Sequence, residues 1–475
     1  MDKIELLELT RRFPTPFYLF DGETLERRVA HLREVLPRDT ALCYAVKANP
    51  FLAREVSTLV ERLEICSPGE YAICRQLGLE PSQYVISGVY KDPQWMEELA
   101  SREDVEKMIC TVESMAQYHL LCQVARKYGR QLKLLLRLTS GSQFGLERQE
   151  IHQILAQPDP QIEVRGIQYF SGTQKTSVKR LGRELRMLEE FLSSLRDQYG
   201  PIPELELGPG FPVSYFTDDA ERDEEEVLLQ AAQQLAQLSF PGKLTLELGR
   251  SIAASCGTYM TRVVDRKTNQ SQHYAIVDGG IHQLVYFGQS MAMRRPQVEL
   301  LQPRDEDGVE NWNICGSLCT VNDILVKQLP LSRLEVGDVL AFGNAGAYCM
   351  TEGISLFLSR DLPGVLLRRP DGQVLCLRSP VQTCTWNTPN YENRKRDDTM
   401  EQLLEILNEI QPDVDYLHCE ELIDGHYLDS LDILSLVAEM EDAFDITVPT
   451  VEIIPENFNS AQRLWEMIQR LREEG

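Results

Sequence analysis

Basic residues are scarce in this sequence: 48 lysines and arginines stand against 73 aspartates and glutamates, a net charge of −25 over 475 residues. A phosphate backbone attracts the opposite sign, so nucleic acid is not an expected partner. No apolar run approaches the roughly 20 residues that span a bilayer, and no membrane association is expected. The first thirty residues hold Arg11, Arg12 and scattered acids but no uninterrupted apolar stretch. A secretory leader is therefore not expected, and a cytoplasmic location is. The 12 cysteines lack paired spacing, Cys315 and Cys319 being the nearest neighbours. That pattern implies neither a disulfide framework nor a zinc site, and no metal is expected.

A length of 475 residues calls for two or three cores rather than one. The charge is unevenly placed: residues 399–475 hold 19 acidic and 3 basic residues, net −16, which leaves −9 for the rest. Such a terminus is either an acidic tail or a small acidic domain that docks on basic partners.

From Ala41 to Arg250, short β-rich runs alternate with amphipathic stretches. The runs begin with ALCYAVKAN (41–49), LEICSPGE (63–70), YVISG (84–88) and MICTVES (108–114). They continue with LKLLLRLT (132–139), RGIQYF (165–170), LELGPG (205–210) and LTLELG (244–249). Eight strand–helix repeats over this length predict a (β/α)8 barrel, here assigned to 26–262. Lys47, Cys66, Ser67, Gln143, Gly172, Thr173, Gly208, Gly210, Glu247 and Arg250 all fall at the C-terminal ends of strands, where such barrels carry their sites. Beyond it the period changes to two, predicting a β-sandwich or β-barrel domain over 263–388. Residues 1–25, with Thr15–Phe20 as a strand, are assigned to that domain. The polar stretch 389–398 reads as a linker. After it, TMEQLLEILNEIQ, SLDILSLVAEMEDAF and SAQRLWEMIQRLREE predict an all-α bundle over 399–475.

Tyr44-Ala45-Val46-Lys47-Ala48-Asn49 puts a lysine at the end of a buried apolar run. A buried ammonium is costly unless paired or neutralised, and a Schiff base with an aldehyde neutralises it. Desolvation is expected to lower its pKa toward the nucleophilic form. A lone lysine here would more often snorkel to solvent. With Glu247-Leu248-Gly249-Arg250 and Gly346-Ala347-Tyr348 in the same order, however, residues 10–380 resemble the fold-type III pyridoxal-phosphate decarboxylases of the diaminopimelate and ornithine decarboxylase family.

The resemblance implies a pyridoxal 5′-phosphate enzyme, a carboxy-lyase acting on amino acids. It assigns Lys47 to hold the cofactor and Glu247 to pair with its ring nitrogen. Gly208, Gly210, Gly249, Arg250, Thr173 and Tyr348 would hold the phosphate, as close-approaching backbone and guanidinium forks can. In Cys315-Gly316-Ser317-Leu318-Cys319-Thr320-Val321-Asn322-Asp323, Cys319 matches the family's cysteine that crosses a dimer interface to protonate the product carbanion. This implies a homodimer with shared sites.

Three departures follow from the same resemblance. Phe170 stands where the family stacks a histidine on the ring. Gln143 replaces a lysine that pairs with the aspartate matching Asp323. Thr320 replaces the acid that binds a distal ammonium, so with Thr320 and Asp323 lining the substrate's far end, a free diamine skeleton would leave its cation unpaired.

Asp429-Ser430-Leu431 opens a helix, where Asp and Ser ordinarily cap. In a short acidic helical segment this pattern resembles an acyl or peptidyl carrier protein, which implies 4′-phosphopantetheine on Ser430. A phosphopantetheinyl transferase and an amino-acid-loading ligase are the implied partners. The reading is decarboxylation of an aminoacyl group, glutamyl-like, tethered to this carrier. The alternatives are a decarboxylase of free amino acids with the carrier acting downstream, an amino-acid racemase or non-catalytic barrel, and a terminal module that only binds proteins.

Overall fold

The computed structural model describes residues 1–217, 224–289, 292–304, 308–389, 400–412, 414–444 and 446–474. The chain divides into two compact units, Met1–Thr385 and Trp386–Gly475.

In the first unit eight parallel strands close a barrel: β2 Ala41–Ala45, β3 Arg62–Ile65, β4 Tyr84–Ile86, β5 Ile109–Val112, β6 Leu132–Leu138, β7 Ile162–Phe170, β8 Glu204–Gly208 and β9 Lys243–Leu248. All eight expected runs are present. The barrel closes where β2 pairs with β9, Cys43 lying opposite Glu247. Parallel strands covered by helices are buried on both faces, which is why ALCYA is buried throughout. Alternation decides the rest. In β8, Glu204 and Glu206 meet Arg62 of β3, Gln168 of β7 and Thr245 of β9 inside the barrel. Leu205 and Leu207 belong to the buried hydrophobic core.

The second layer is a mixed sheet in which β1 Phe17–Asp21 pairs antiparallel with β10 Gly257–Asn269 and parallel with β16 Gly364–Arg368. The N-terminal run does add a strand, and it is a central one. The sheet is completed by β11 Gln272–Val277, β12 Val298–Leu300, β13 Val309–Cys315, β14 Ile324–Ser332, β15 Val339–Phe342 and β17 Val374–Arg378. Two expected boundaries shift. The one at 262/263 falls inside β10, which already pairs with β1 at Gly257, and the one at residue 25 falls inside the helix Gly22–Val35.

The second unit is helical, with Met400–Ile410, Ser430–Phe444 and Ala461–Glu474 as its long helices. They close on their own core of Leu403, Leu407, Leu436, Met440, Phe444, Leu464 and Ile468. The acidic terminus is thus a folded bundle. The expected linker 389–398 lies, past Pro389, outside the described residues. No helix of the described residues is long and apolar enough to cross a membrane.

Candidate active site

A cavity of about 220 Å3 opens at the C-terminal ends of β2, β7, β8 and β9. Strand β2 stops at Ala45, and the 3-10 turn Val46–Ala48 puts Lys47 on the cavity wall. Its Nζ donates to Glu64 Oε2 at 2.6 Å and lies 3.5 Å from Glu247 Oε1. The Cys66 thiol is 3.6 Å from the same nitrogen.

Glu64 and Glu247 also share a hydrogen bond, and both are buried. Burial opposes the charge on both. For Glu64, Lys47 and the hydrogen bonds outweigh burial and hold it below the usual carboxylate range. For Glu247, burial and the neighbouring Glu64 charge win over Lys47, and its pKa is pushed up to about 8. The geometry corrects one expectation. Burial does act to lower the Lys47 pKa, but Glu64 and Glu247 outweigh it and hold the ammonium well above the ordinary lysine value. Lys47 is a paired cation, so its nucleophilic form requires that those two carboxylates be perturbed.

The same cavity is lined by Arg250. It is 6% exposed, and among the described residues no carboxylate lies within ion-pair distance of it. Nη1 donates to Tyr215 Oη at 2.6 Å, and the guanidinium packs over the rings of Tyr348 and Phe287 at 4.5 and 4.9 Å. Its Nε is buried without a hydrogen-bond partner. A desolvated guanidinium with a spare donor calls for an anion.

Gly210 lies beside it in the left-handed region at φ +65°. A methyl there would collide with the Gly172 carbonyl, so only glycine lets these two loops meet. Gly249 likewise sits close under the Tyr348 hydroxyl, a methyl there lying 3.0 Å from it. Tyr348 has φ +65° and is fixed by its N–H donating to Ala48 O at 2.7 Å. Thr173, Gly210, Gly249, Arg250 and Tyr348 share the cavity with Lys47, Phe170 and Glu247.

Gly208 does not. It is absent from the cavity lining, and its missing side chain leaves room for the Phe170 ring, into which a methyl would project. What the structure shows for Gly208 is room for Phe170. Asp323 is also reassigned. It is 2% exposed, and its oxygens accept the backbone N–H groups of Ile281 and Leu318 at 2.8 and 2.7 Å. It braces the loop after β13 and has no surface left for a substrate. On that loop Cys319 is exposed and Thr320 half-buried, and neither lines the cavity within one chain. Gln143 is exposed.

Sequence reasoning missed Glu64, Gln168, Phe287 and Glu352. Glu64 had a signal, an acid two residues before Cys66 in an apolar run. Phe287 and Glu352 lie in stretches without a motif.

In the second unit Asp429 caps the helix: Oδ1 accepts the N–H groups of Leu431 and Asp432, and its own N–H donates to Asp432 Oδ2. The capping role is thereby filled. Ser430 is exposed, and its hydroxyl has no partner among the described residues.

The pyridoxal-dependent decarboxylase, C-terminal sheet domain family model matches residues 17–346. The L-glutamyl-[BtrI acyl-carrier protein] decarboxylase of Niallia circulans is 26% identical over 78% of this chain and 92% of its own. The diaminopimelate decarboxylase of Aquifex aeolicus is 26% identical over 73% and 85%. Among solved structures, the diaminopimelate decarboxylase of Helicobacter pylori complexed with L-lysine superposes with a TM-score of 0.69 at 22% identity, over 80% and 98%.

Proposed function

Since the chain belongs to the pyridoxal-dependent decarboxylases and is a pyridoxal-phosphate amino-acid decarboxylase, we propose that its substrate is an aminoacyl group held as a thioester on 4′-phosphopantetheine at Ser430. The carrier is the unit Trp386–Gly475, of the same chain or of a second copy.

The cavity suits the cofactor by its own chemistry: an unneutralised buried guanidinium at one end, a lysine and a proton-holding carboxyl at the other. Arg250, with Thr173, Gly210, Gly249 and Tyr348, would hold the phosphate. Phe170 would lie on the ring, Glu247 would face the ring nitrogen, and Lys47 would carry the covalent link. When bound, the cofactor supplies the electron sink for the pair of electrons left as carbon dioxide departs. Cys319, exposed and outside its own chain's cavity, would serve the cavity of a partner in a homodimer and return the proton to the product.

The observation that carries the carrier-bound substrate is the Ser430 hydroxyl, exposed at a helix start whose capping is already done by Asp429. Two facts stand beside it: a relative that acts on a carrier-bound glutamyl group, and a neutral Thr320 where a diamine would need an acid. Tethering raises the effective substrate concentration to about millimolar for a short flexible link. The test is intact-mass spectrometry after treatment with coenzyme A, a phosphopantetheinyl transferase and a glutamyl-loading ligase. Ser430 should gain the arm and then the aminoacyl group, and the loaded chain should lose the mass of carbon dioxide. Decarboxylation of free amino acids at an undiminished rate by a Ser430→Ala chain, with none on the loaded carrier, would favour the free-substrate alternative.

A further inference from the structure

The barrel interior beneath the cavity is not the branched-aliphatic packing usual in such barrels. Six polar side chains form a continuous ladder there. Glu247 Oε2 accepts from Gln168 Nε2 at 3.2 Å. The same nitrogen donates to Glu206 Oε1, also at 3.2 Å. Glu206 Oε2 lies 3.3 Å from Arg62 Nη1, and Arg62 forks onto Glu204, whose Oε1 accepts from Thr245 Oγ1. Gln168, Glu204 and Glu206 are 2%, 1% and 0% exposed. Lone buried charges are costly, so a ladder joined end to end has been kept at the expense of simple packing.

We propose that Gln168 is a positioning residue for Glu247: its amide, steadied from behind by Arg62 and Glu206, fixes the plane of the Glu247 carboxyl group and sets which charge state that group presents to the cofactor ring. The inference rests on the assignment of Glu247 to the ring nitrogen. The geometry at Gln168 is informative because its two amide ends are unequal: Nε2 serves two carboxyl groups, while Oε1 is buried with no partner. An amide in this place can serve Glu247 in either state. The nitrogen donates to a carboxylate, and the oxygen, after a half-turn, accepts from a carboxylic acid. Both neighbours do hold protons near neutral pH, with burial pushing Glu206 up to about 7 and Glu247 to about 8. The other ionisable groups that act on Glu247 are Lys47, Glu64, Cys43, Cys66 and Tyr348.

The test uses the full chain stripped of cofactor and the probe 4′-deoxypyridoxine 5′-phosphate, which lacks the aldehyde and so cannot bond to Lys47. Its affinity and ring absorbance are followed against pH, with the melting temperature alongside. Gln168→Leu should raise the pH midpoint by about one unit, a tenfold change in affinity on the sloping limb, because the carboxylate loses its donor. Glu206→Gln should move it the opposite way, because a competing negative charge is gone. A merely structural role lowers the melting temperature and leaves both midpoints in place, which overturns the inference. If Gln168→Leu does not fold, the sign of the Glu206→Gln shift decides. A midpoint that survives Glu247→Gln overturns the assignment of Glu247 itself, and one lost there yet unmoved in the other two overturns only the role of Gln168.

Discussion

At one end of the cavity, Arg250 is buried and, among the described residues, has no carboxylate within ion-pair distance. At the other, Lys47 and Glu247 line the wall, and with the barrel interior beneath them Glu64, Glu204, Glu206 and Glu247 share two cations, Lys47 and Arg62. Each end is costly alone, and the costs have opposite sign. A protein selected for stability alone would have joined them or replaced both with apolar side chains. Kept apart across one cavity, they complement a ligand that is anionic at one end and basic at the other, and a phosphorylated pyridine is such a ligand. Cofactor binding and protein stability should therefore respond differently to the same substitution at this site.

Lys47→Ala gives the largest effect. Decarboxylation should fall by roughly 10³-fold or more, and borohydride should no longer fix a cofactor adduct to the chain, as a peptide map will show. Arg250→Met comes next and breaks the comparison at its other end. Losing charge-assisted bonds to phosphate should weaken cofactor binding by about 10- to 100-fold, roughly 1.5–3 kcal/mol. The cofactor-free protein should nevertheless melt no lower than the parent, because an unpaired buried cation has gone. A lower melting temperature without cofactor would show that Arg250 is already satisfied and that the two ends are not opposed. Gly208→Ala is smaller and structural. Crowding the Phe170 ring should cost about 1–3 kcal/mol in denaturant unfolding and displace the ring face of the cavity.

Much of this was legible in the residues. The barrel strands were legible because short β-rich runs recur between amphipathic stretches, some wholly apolar as in ALCYA and others alternating as in ELELG, and the punctuating motifs sit where those runs end. Lys47, Glu247, Arg250 and Tyr348 came with neighbours that mark them, and the fold brings them together. What stayed hidden was direction. Nothing in LELGPG says that Gly208 makes room for Phe170 while Gly210 faces the cavity. Nothing near Asp323 says that its oxygens are used up by Ile281 and Leu318. Gln168 was invisible for the same reason: which residues of β7 face inward depends on the closure of the barrel. The sign of the Lys47 shift was missed because it depends on Glu64, which is near only in space.

The smallest expected effect is a slope. Glu206 and Glu247 have folded-state pKa values raised to about 7 and about 8, against an ordinary carboxylate value of 4.5. Between the unfolded and folded values the native state holds protons that the unfolded chain has released. The stability of the cofactor-free protein must therefore fall as pH rises through this window. Each group contributes up to about 1.4 kcal/mol per pH unit, and the contribution ends above its folded value. Glu64 is shifted the other way and loses its contribution only as pH falls into the acid range, while Lys47 is raised too but loses its contribution only as pH rises past the ordinary lysine value, outside this window. Urea unfolding of the stripped chain at intervals from pH 6 to pH 9 should show a decline that flattens past pH 8, and Glu206→Gln should make its lower part shallower. Arg250→Met should leave the slope unchanged, since Arg250 is not among the groups named as acting on Glu206 or Glu247. If the slope does respond to Arg250, the guanidinium and the carboxyl groups are electrostatically coupled, and the two ends cannot be altered independently.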